Sequence, residues 1–268
     1  MQSQGIKLIF GSPNLKVHSK ICLIERLEGG NLKKYGFIST GNFNESTAKV
    51  YTDLTLFTSN SKILDEVSNV FNFFNANYKK YIFKNLFVSP INTESKIKKL
   101  IGNEIINAKS GKDAWIKIKI NNITSYSLIR SLYEASRAGV KIQMIVRGIC
   151  CLIPGHKNMS ENIEVISIVD RFLEHTRFMI FNNNGNCNTF ISSADWMTRN
   201  LDNRVEVTCP ILQDDLKNEI LDIFNIYWND NVKARHVNSS AKSIISKNNK
   251  MQSQQRIFNY YLNKIERI

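Results

Sequence analysis

The feature that most restricts the fold of this 268-residue chain is an echo between its two halves. In the first half, Gly5-Ile6-Lys7-Leu8-Ile9 precedes His18-Ser19-Lys20 and the apolar run Ile21-Cys22-Leu23-Ile24. A small polar loop with Thr40-Gly41-Asn42 follows, then a segment bearing Asp53. The second half runs Gly139-Val140-Lys141-Ile142, His175-Thr176-Arg177 with its own apolar run, Ser192-Ser193-Ala194-Asp195, and a segment bearing Glu206. Two such units predict a pseudo-two-fold arrangement in which the H-x-K and H-x-R tripeptides face each other. Side chains alternate along a strand, so a histidine and a cation two residues apart share a face. An imidazole can attack phosphorus, a neighbouring cation can balance charge on the transferring oxygens, and carboxylates can orient each imidazole. One H-x-K alone is far more often a structural histidine at a strand end, so the weight rests on the pair.

Periodicity makes the chain α/β. Strands are predicted over Ile6 to Phe10, His18 to Ile24, Tyr35 to Ile38, Tyr51 to Phe57, Ala114 to Asn121, Gly139 to Gly148, Val165 to Val169, Phe178 to Phe181, Thr189 to Ile191 and Arg204 to Val207. Helical spacing marks Ile63 to Phe74 with Ser59, Asn60 and Ser61 as caps, Ile97 to Ile105, Ser125 to Ala138, Leu216 to Tyr227, and a last helix from Met251. The strand-helix-strand order from Ala114 to Gly148 implies parallel pairing by a right-handed crossover. Arg147 then falls at a strand's carboxyl end, where α/β sheets hold ligands. The loop Ser39 to Thr47 is rich in small residues, amides and hydroxyls, which suits an anion site or a surface turn. The irregular stretch Asn75 to Pro90 divides the chain into units 1–86 and 87–268, with 238–268 as a peripheral basic tail.

Charge narrows the partners. Lysine and arginine number 36 against 23 acidic residues, for a net charge of +13, so the chain draws polyanions: nucleic acid, phosphate polymers, nucleotides or an anionic membrane surface. Cys22, Cys150, Cys151, Cys187 and Cys209 form an odd set without C-x-x-C spacing, which reads as buried thiols in a reducing cytosol. No apolar run approaches the roughly 18 residues of a membrane span. A strand only a few residues from Met1 reads as a fold entered part-way.

The paired H-x-K/R order resembles the phospholipase D superfamily. Glu25 stands where that superfamily has its motif Asp, Asn44 matches its loop Asn, and the second unit has Arg177 for Lys and Asn182 for the acid. A longer resemblance covers roughly Gly5 to His236: Lys16-Val17-His18-Ser19-Lys20, Gly41-Asn42-Phe43-Asn44, Tyr51-Thr52-Asp53-Leu54, Val146-Arg147-Gly148, Ile166 to Arg177, and Ser192 to Asn200 are similar to the carboxyl-terminal half of the long-chain bacterial polyphosphate kinases. That resemblance implies two phospholipase D-like α/β domains in pseudo-two-fold arrangement, the first N-terminally truncated. It implies an ATP:polyphosphate phosphotransferase, with His18 phosphorylated by ATP and passing the phosphoryl group reversibly to the end of a polyphosphate chain. His18, His175 and Lys20 become the catalytic residues, and Tyr51, Arg147 and His175 the ATP/ADP-binding residues. Arg177, Arg204, Asn42, Asn44 and Ser193 become the polyphosphate contacts, with Arg171 and Arg199 as weaker candidates.

The resemblance also implies Mg2+ with ligands outside these residues, a homo-oligomer when complete, no specific nucleic acid, and a cytoplasmic location with peripheral association at the inner face of the membrane. Phe37 departs from the family, which often has His there. His156 and His236 read as ordinary loop histidines. Two other functions fit the same residues: a non-catalytic polyanion-binding fragment, from the net charge, and a phosphodiesterase, from the paired H-x-K/R units.

Overall fold

The computed structural model describes residues 4–6, 8–9, 15–237 and 250–266. The first half comprises β1 (Lys16–Val17), β2 (Lys20–Glu28), β3 (Asn31–Ser39), α1 (Glu45–Ala48), β4 (Tyr51–Thr52), β5 (Thr55–Thr58) and α2 (Ser61–Asn75). There follow β6 (Phe87–Ser89), α3 (Thr93–Lys109), β7 (Trp115–Ile120), α4 (Tyr126–Arg137), β8 (Lys141–Val146), β9 (Ile163–Ile168) and β10 (Leu173–Glu174). The chain continues through β11 (Phe178–Phe181), β12 (Asn188–Ser192), α5 (Thr198–Asp202), β13 (Arg204–Ile211), α6 (Asp214–Trp228), β14 (Ala234–His236) and α7 (Ser253–Ile265).

Among the described residues the largest sheet has the order β1-β13-β12-β11-β7-β8-β9-β14, with β6 also on β13. The segment β7-α4-β8 is the expected parallel unit, and Arg147 follows the last residue of β8. A second, antiparallel sheet has the order β2-β3-β5, and β4 pairs in parallel with β10. The helices form where apolar residues recur on one face and a side chain caps the free amides. Asn60 accepts from the Ile63 amide, and Ile63, Leu64, Val67, Val70 and Phe73 are buried along α2. Ser125 caps α4, which buries Leu128, Ile129, Leu132 and Ala135.

Two cores result. In the first, α2 and α6 pack with one face of each sheet, bringing Ile21, Leu23, Ile38 and Leu56 together with Phe178, Ile180, Ile191 and Cys209. In the second, α3 and α4 cover the opposite face of the large sheet over Met179, Phe181, Phe190 and Trp196.

The echo in sequence is an echo in hydrogen bonding. In the first half the Gly41 amide donates to Ser39 Oγ, Thr40 Oγ1 donates to Asp53, and the Leu54 amide donates to Thr40 Oγ1. In the second the Ala194 amide donates to Ser192 Oγ, Ser193 Oγ donates to Glu206, and the Val207 amide donates to Ser193 Oγ. Strand register agrees: Ile21↔Ile38 and Ser39↔Thr55 correspond to Phe178↔Ile191 and Ser192↔Thr208.

Several expectations need correction. Of the strand expected over Ile6 to Phe10, Lys7 and Phe10 lie outside the described residues, and Ile6, Leu8 and Ile9 join no strand. His18 precedes β2, because its amide and that of Ser19 both donate to the Val205 carbonyl. The continuous strand expected from Tyr51 to Phe57 breaks at Asp53-Leu54. Thr52 belongs to a pair with β10, whereas Thr55 returns to β3, and the exchange of bonds between Thr40 and Leu54 makes the corner. The tail beyond 237 includes 238–249, outside the described residues, but α7 is not peripheral. Ile257 and Tyr261 pack on the first core and Ser253 is buried. The cysteines are free thiols, but only Cys209 is buried and Cys151 is exposed.

The irregular segment after α2 is held by one carboxylate. Glu66, buried on α2, accepts from the amides of Lys84, Asn85 and Leu86 and from Asn85 Nδ2, at 2.8–3.0 Å. Removing it orphans several amides, each costing about 1–3 kcal/mol where water cannot replace the acceptor. Glu66→Ala is expected to lower unfolding stability by at least about 2 kcal/mol in urea titration; a change under about 0.5 kcal/mol contradicts this role.

Candidate active site

Two short parallel pairings build the centre. β1 runs beside the start of β13, with Lys16↔Arg204 and Val17↔Val205 in register, so the next residues are His18 and Glu206. β10 runs beside β4, with Leu173↔Tyr51 and Glu174↔Thr52 in register, so the next residues are His175 and Asp53. Each histidine therefore meets the acid of the other half. His18 Nδ1 lies 2.9 Å from Glu206 Oε2, and His175 Nδ1 lies 2.8 and 3.1 Å from the two oxygens of Asp53.

Glu206 is fully buried and accepts from Ser193 Oγ at 2.5 Å and Asn200 Nδ2 at 2.7 Å. Asp53 accepts from Thr40 Oγ1 at 2.6 Å. An ionised carboxylate only accepts, so each imidazole carries its proton on Nδ1 and leaves the lone pair on Nε2. Gly41 belongs to this construction: a Cβ there would sit 1.8 Å from Asp53 Oδ2.

The two units then diverge. On the second side, Arg177 is buried; its Nε donates to Asp195 Oδ1 at 3.0 Å, its Nη1 to the Thr40 and His175 carbonyls, and its Nη2 lies 3.3 Å from His175 Nε2. His175 Nε2 thus already accepts from a guanidinium. Burial pushes the His175 pKa below its ordinary value; the Asp53 hydrogen bond opposes this, while Arg177 and Lys20 add to it. Burial would raise the Asp195 pKa, but Arg177 and the bonds from Asn121 and Asn122 outweigh it and hold the carboxyl below its usual range. On the first side, Asn42 occupies the place corresponding to Asp195, so an amide stands where the other half has an acid. Among the described residues Lys20 has no ion pair; its ammonium donates to the His18 carbonyl. Burial, partly offset by Glu206 and reinforced by Arg177, pushes its pKa down to about 8. His18 Nε2 and the Arg204 guanidinium have no hydrogen-bond partner among the described residues, and Lys20 feels the charge of Arg204.

The remaining candidates fall into two groups. Tyr51 lies against His175, ring centroids 5.0 Å apart, and lines a cavity of about 470 Å³ with Gly41, Asn42, Phe43, Asn44 and Asp53. Arg147 donates from Nε to Asn121 Oδ1 and the Glu174 carbonyl, both at 3.0 Å, and shares an electrostatic environment with Tyr51 and Arg177. These two join the centre. Ser193 does not face a ligand: it is fully buried, donating to Glu206 and accepting from the Val207 amide. Asn44 caps α1, its Oδ1 accepting from Ser46 and Thr47 amides, which leaves only its Nδ2. Arg177 is an ion-paired scaffold cation with Nη2 on His175, not a free phosphate contact. Glu25 pairs with Lys34 and Asn182 binds Asp113, so neither is a site acid. Arg171 stacks on Phe172, and Arg199 is exposed on α5.

Sequence reading missed Asp195 and Asn200, which fix Arg177 and Glu206. It also missed the buried pair Lys119–Glu174, 3.1 Å apart below His175. For Asp195 the signal was present, since aligning Ser39-Thr40-Gly41-Asn42 with Ser192-Ser193-Ala194-Asp195 sets amide against acid.

Facing histidine–cation units on pseudo-symmetric α/β halves are the arrangement that the resemblance to the phospholipase D superfamily leads one to expect. The chain's narrower membership comes from comparison. The family models described as polyphosphate kinase C-terminal domain 1 and C-terminal domain 2 match residues 1–80 and 86–256. A polyphosphate kinase of Vibrio parahaemolyticus is 48% identical over 262 residues, covering 97% of this chain and 38% of the relative. One from Yersinia pestis is 49% identical over 237 residues, covering 88% of this chain and 34% of its own. The crystal structure of the Porphyromonas gingivalis polyphosphate kinase superposes with a TM-score of 0.94 at 40% identity, over 100% of this chain and 42% of that one. A Haemophilus influenzae phosphatidylserine synthase, TM-score 0.54 at 10% identity, shares the fold alone. The chain belongs to the polyphosphate kinase family, and it spans a little over a third of the length of the curated relatives it matches.

The Asn42/Asp195 difference is testable. Asn42→Asp places an acid where the second half has one, and is expected to weaken binding of a medium-length polyphosphate at least tenfold in isothermal titration. Unchanged affinity contradicts the charge argument. Because the Lys20 pKa is lowered, its ammonium is present below about pH 8 and lost above it, so anion affinity falls as pH rises through that value. Lys20→Met is expected to bind more weakly and to lose this alkaline limb.

Proposed function

We propose that the chain carries the phosphoryl-transfer centre of a polyphosphate kinase, moving the γ-phosphoryl group of ATP reversibly onto the end of inorganic polyphosphate through a phosphohistidine at His18. The observation that supports this reading is the inequality of the two histidines. His18 Nε2 is unpartnered among the described residues and stands beside two cations without acid partners, whereas His175 Nε2 accepts from Arg177. In the first step His18 Nε2 bonds to the γ-phosphorus as the bond to the β,γ-bridging oxygen breaks, and ADP leaves with the electron pair. In the second a terminal oxygen of polyphosphate bonds to phosphorus, and the N–P pair returns to the imidazole. Glu206 stabilises the positive charge that His18 gains, while Lys20 and Arg204 offset charge on the transferring oxygens. Tyr51 and Arg147 bind the nucleotide, and His175 holds or moves a proton opposite His18.

The family implies magnesium with these substrates, but the donors here do not fit it. No group of three or more His, Cys, Asp or Glu gathers among the described residues, and Asp53, Glu206 and Asp195 are each engaged by a histidine or an arginine. We extend the reading to a cytoplasmic enzyme that is oligomeric when complete, with peripheral membrane association and with functional units at 1–86 and 87–268. No helix among the described residues is long and apolar enough to cross a membrane.

The test is ATP formation from ADP and polyphosphate by the purified protein, alone or together with the portion of a relative that it does not span. His18→Ala is expected to abolish it, and Glu206→Gln to lower kcat by about 10²–10⁴-fold through loss of the Nδ1–H tautomer. Histidine-dependent cleavage of bis(p-nitrophenyl) phosphate without nucleotide turnover would favour phosphodiesterase chemistry instead.

A further inference from the structure

The strand that presents His175 is only two residues long, and one of its edges is finished by a side chain. On the edge facing β4, the Leu173 amide donates to the Val50 carbonyl at 2.8 Å and the His175 amide to Thr52 Oγ1 at 3.2 Å. Alternate residues of a strand turn their backbone groups to opposite edges, so those of Phe172 and Glu174 face away from β4. Among the described residues no strand takes them. Instead the Phe172 amide donates to Gln254 Oε1 at 3.1 Å, the Phe172 carbonyl accepts from Gln254 Nε2 at 2.9 Å, and the Glu174 carbonyl accepts from Arg147 Nε at 3.0 Å. One side-chain amide in the first turn of α7 does for β10 what the backbone of a neighbouring strand would do.

The same amide reaches the side chain beside His175. Gln254 Nε2 also donates to Glu174 Oε1 at 2.7 Å, while Glu174 Oε2 lies 3.1 Å from Lys119 Nζ and 3.3 Å from Thr52 Oγ1. Lys119 donates in addition to the Thr176 carbonyl at 3.3 Å, with its ammonium 4.8 Å from the centroid of the Tyr227 ring. Glu174 and Lys119 are each 1% exposed, and a buried ion pair of this kind is stable only while its other lone pairs and protons are satisfied. The residues on both sides of His175 therefore belong to one network, and α7 closes it. The helix is itself anchored. The Ser253 amide donates to Asp230 Oδ2 and Gln252 Nε2 to Asp170 Oδ2, both at 2.7 Å, while Ile257 and Tyr261 pack on the first core.

We propose that Gln254 is a positioning residue for His175: through β10 and the Glu174 carboxylate, α7 fixes where the imidazole stands between Asp53 and Arg177. The consequence for turnover rests on the reading of His175 as the group that holds or moves a proton opposite His18; the placement does not. Releasing β10 loosens the bond from His175 Nδ1 to Asp53 that selects the tautomer, and the Arg147 contact moves with it. His18 takes its acid from β13 and receives no bond from α7 among the described residues, so it is indifferent to the change.

The experiment labels the four histidines of the chain with 15N and reads their ring nitrogens by long-range 1H–15N NMR, which needs no catalytic activity. Gln254→Met keeps the length of the side chain and removes its hydrogen bonds. Gln254→Glu keeps an acceptor for the Phe172 amide but sets a carboxylate against Glu174. Gln255→Met, at an exposed neighbour on α7, is the control. In the unsubstituted protein, with the imidazole neutral, the two His175 nitrogens are expected to be well separated, as a fixed Nδ1–H tautomer requires. The separation is expected to narrow in Gln254→Met and further in Gln254→Glu, with His18 and His156 unmoved, and to stay unchanged in Gln255→Met. In the ATP-forming assay kcat is expected to fall at least tenfold in both Gln254 variants while the KM for polyphosphate stays within about threefold. A His175 separation that keeps its original value in both variants overturns the proposal, as does a shift of His18 and His175 together, the sign of general loosening. Narrowing with kcat unchanged upholds the placement and contradicts the proton role of His175.

Discussion

Everything at the centre depends on two parallel pairings of two residues each. β1 lies against the start of β13, and β10 against β4, so each half lends its acid to the histidine of the other. A local arrangement would have paired His18 with Asp53, 35 positions away in the same half. The observed partner Glu206 lies 188 positions away. Because the carboxylates cross, neither imidazole is held in a defined tautomer unless both halves are docked. The shared core of α2, α6 and the inward faces of both sheets is what docks them. Folding and chemistry are coupled at that point, since separating the halves also separates each histidine from its acid.

On this near-symmetric frame a few side chains break the symmetry, and the break assigns roles. Arg177 is a planar fork with several donors, which suits a buried position between a carboxylate, two carbonyls and an imidazole. Lys20 is a point charge with no ion pair among the described residues, made easier to discharge by burial. Arg204 and Tyr51 occupy corresponding positions opposite Lys16 and Leu173, giving one side a cation and the other an aromatic ring. On the proposed reading a charged polymer end meets the former and a nucleotide the latter.

Much of this was legible from spacing. The two H-x-K/R units and the acids Asp53 and Glu206 follow from the internal repeat, and the β7-α4-β8 crossover and the position of Arg147 from period-two and period-3.6 patterns. The crossing did not, because two-residue strands carry no periodic signal and their partners are far apart in sequence. Nor did the roles of Asn44 and Ser193. A loop of hydroxyls and amides reads the same whether its donors serve a ligand or its own backbone, and here both serve the scaffold. The docking of α7 was missed for a related reason. Gln254 bonds the Phe172 backbone and Glu174, contacts made by a polar residue in a stretch whose composition alone suggested a tail.

The central claim is that Glu206 holds His18 with its proton on Nδ1, so that Nε2 is the atom that takes the phosphoryl group. The direct measurement is to phosphorylate the protein with ATP, map the acid-labile phosphate by mass spectrometry under basic conditions, and determine its ring position by 31P NMR. The account predicts a single phosphohistidine at His18 bearing phosphorus on Nε2. Phosphate on His175, or on Nδ1 of His18, would contradict it.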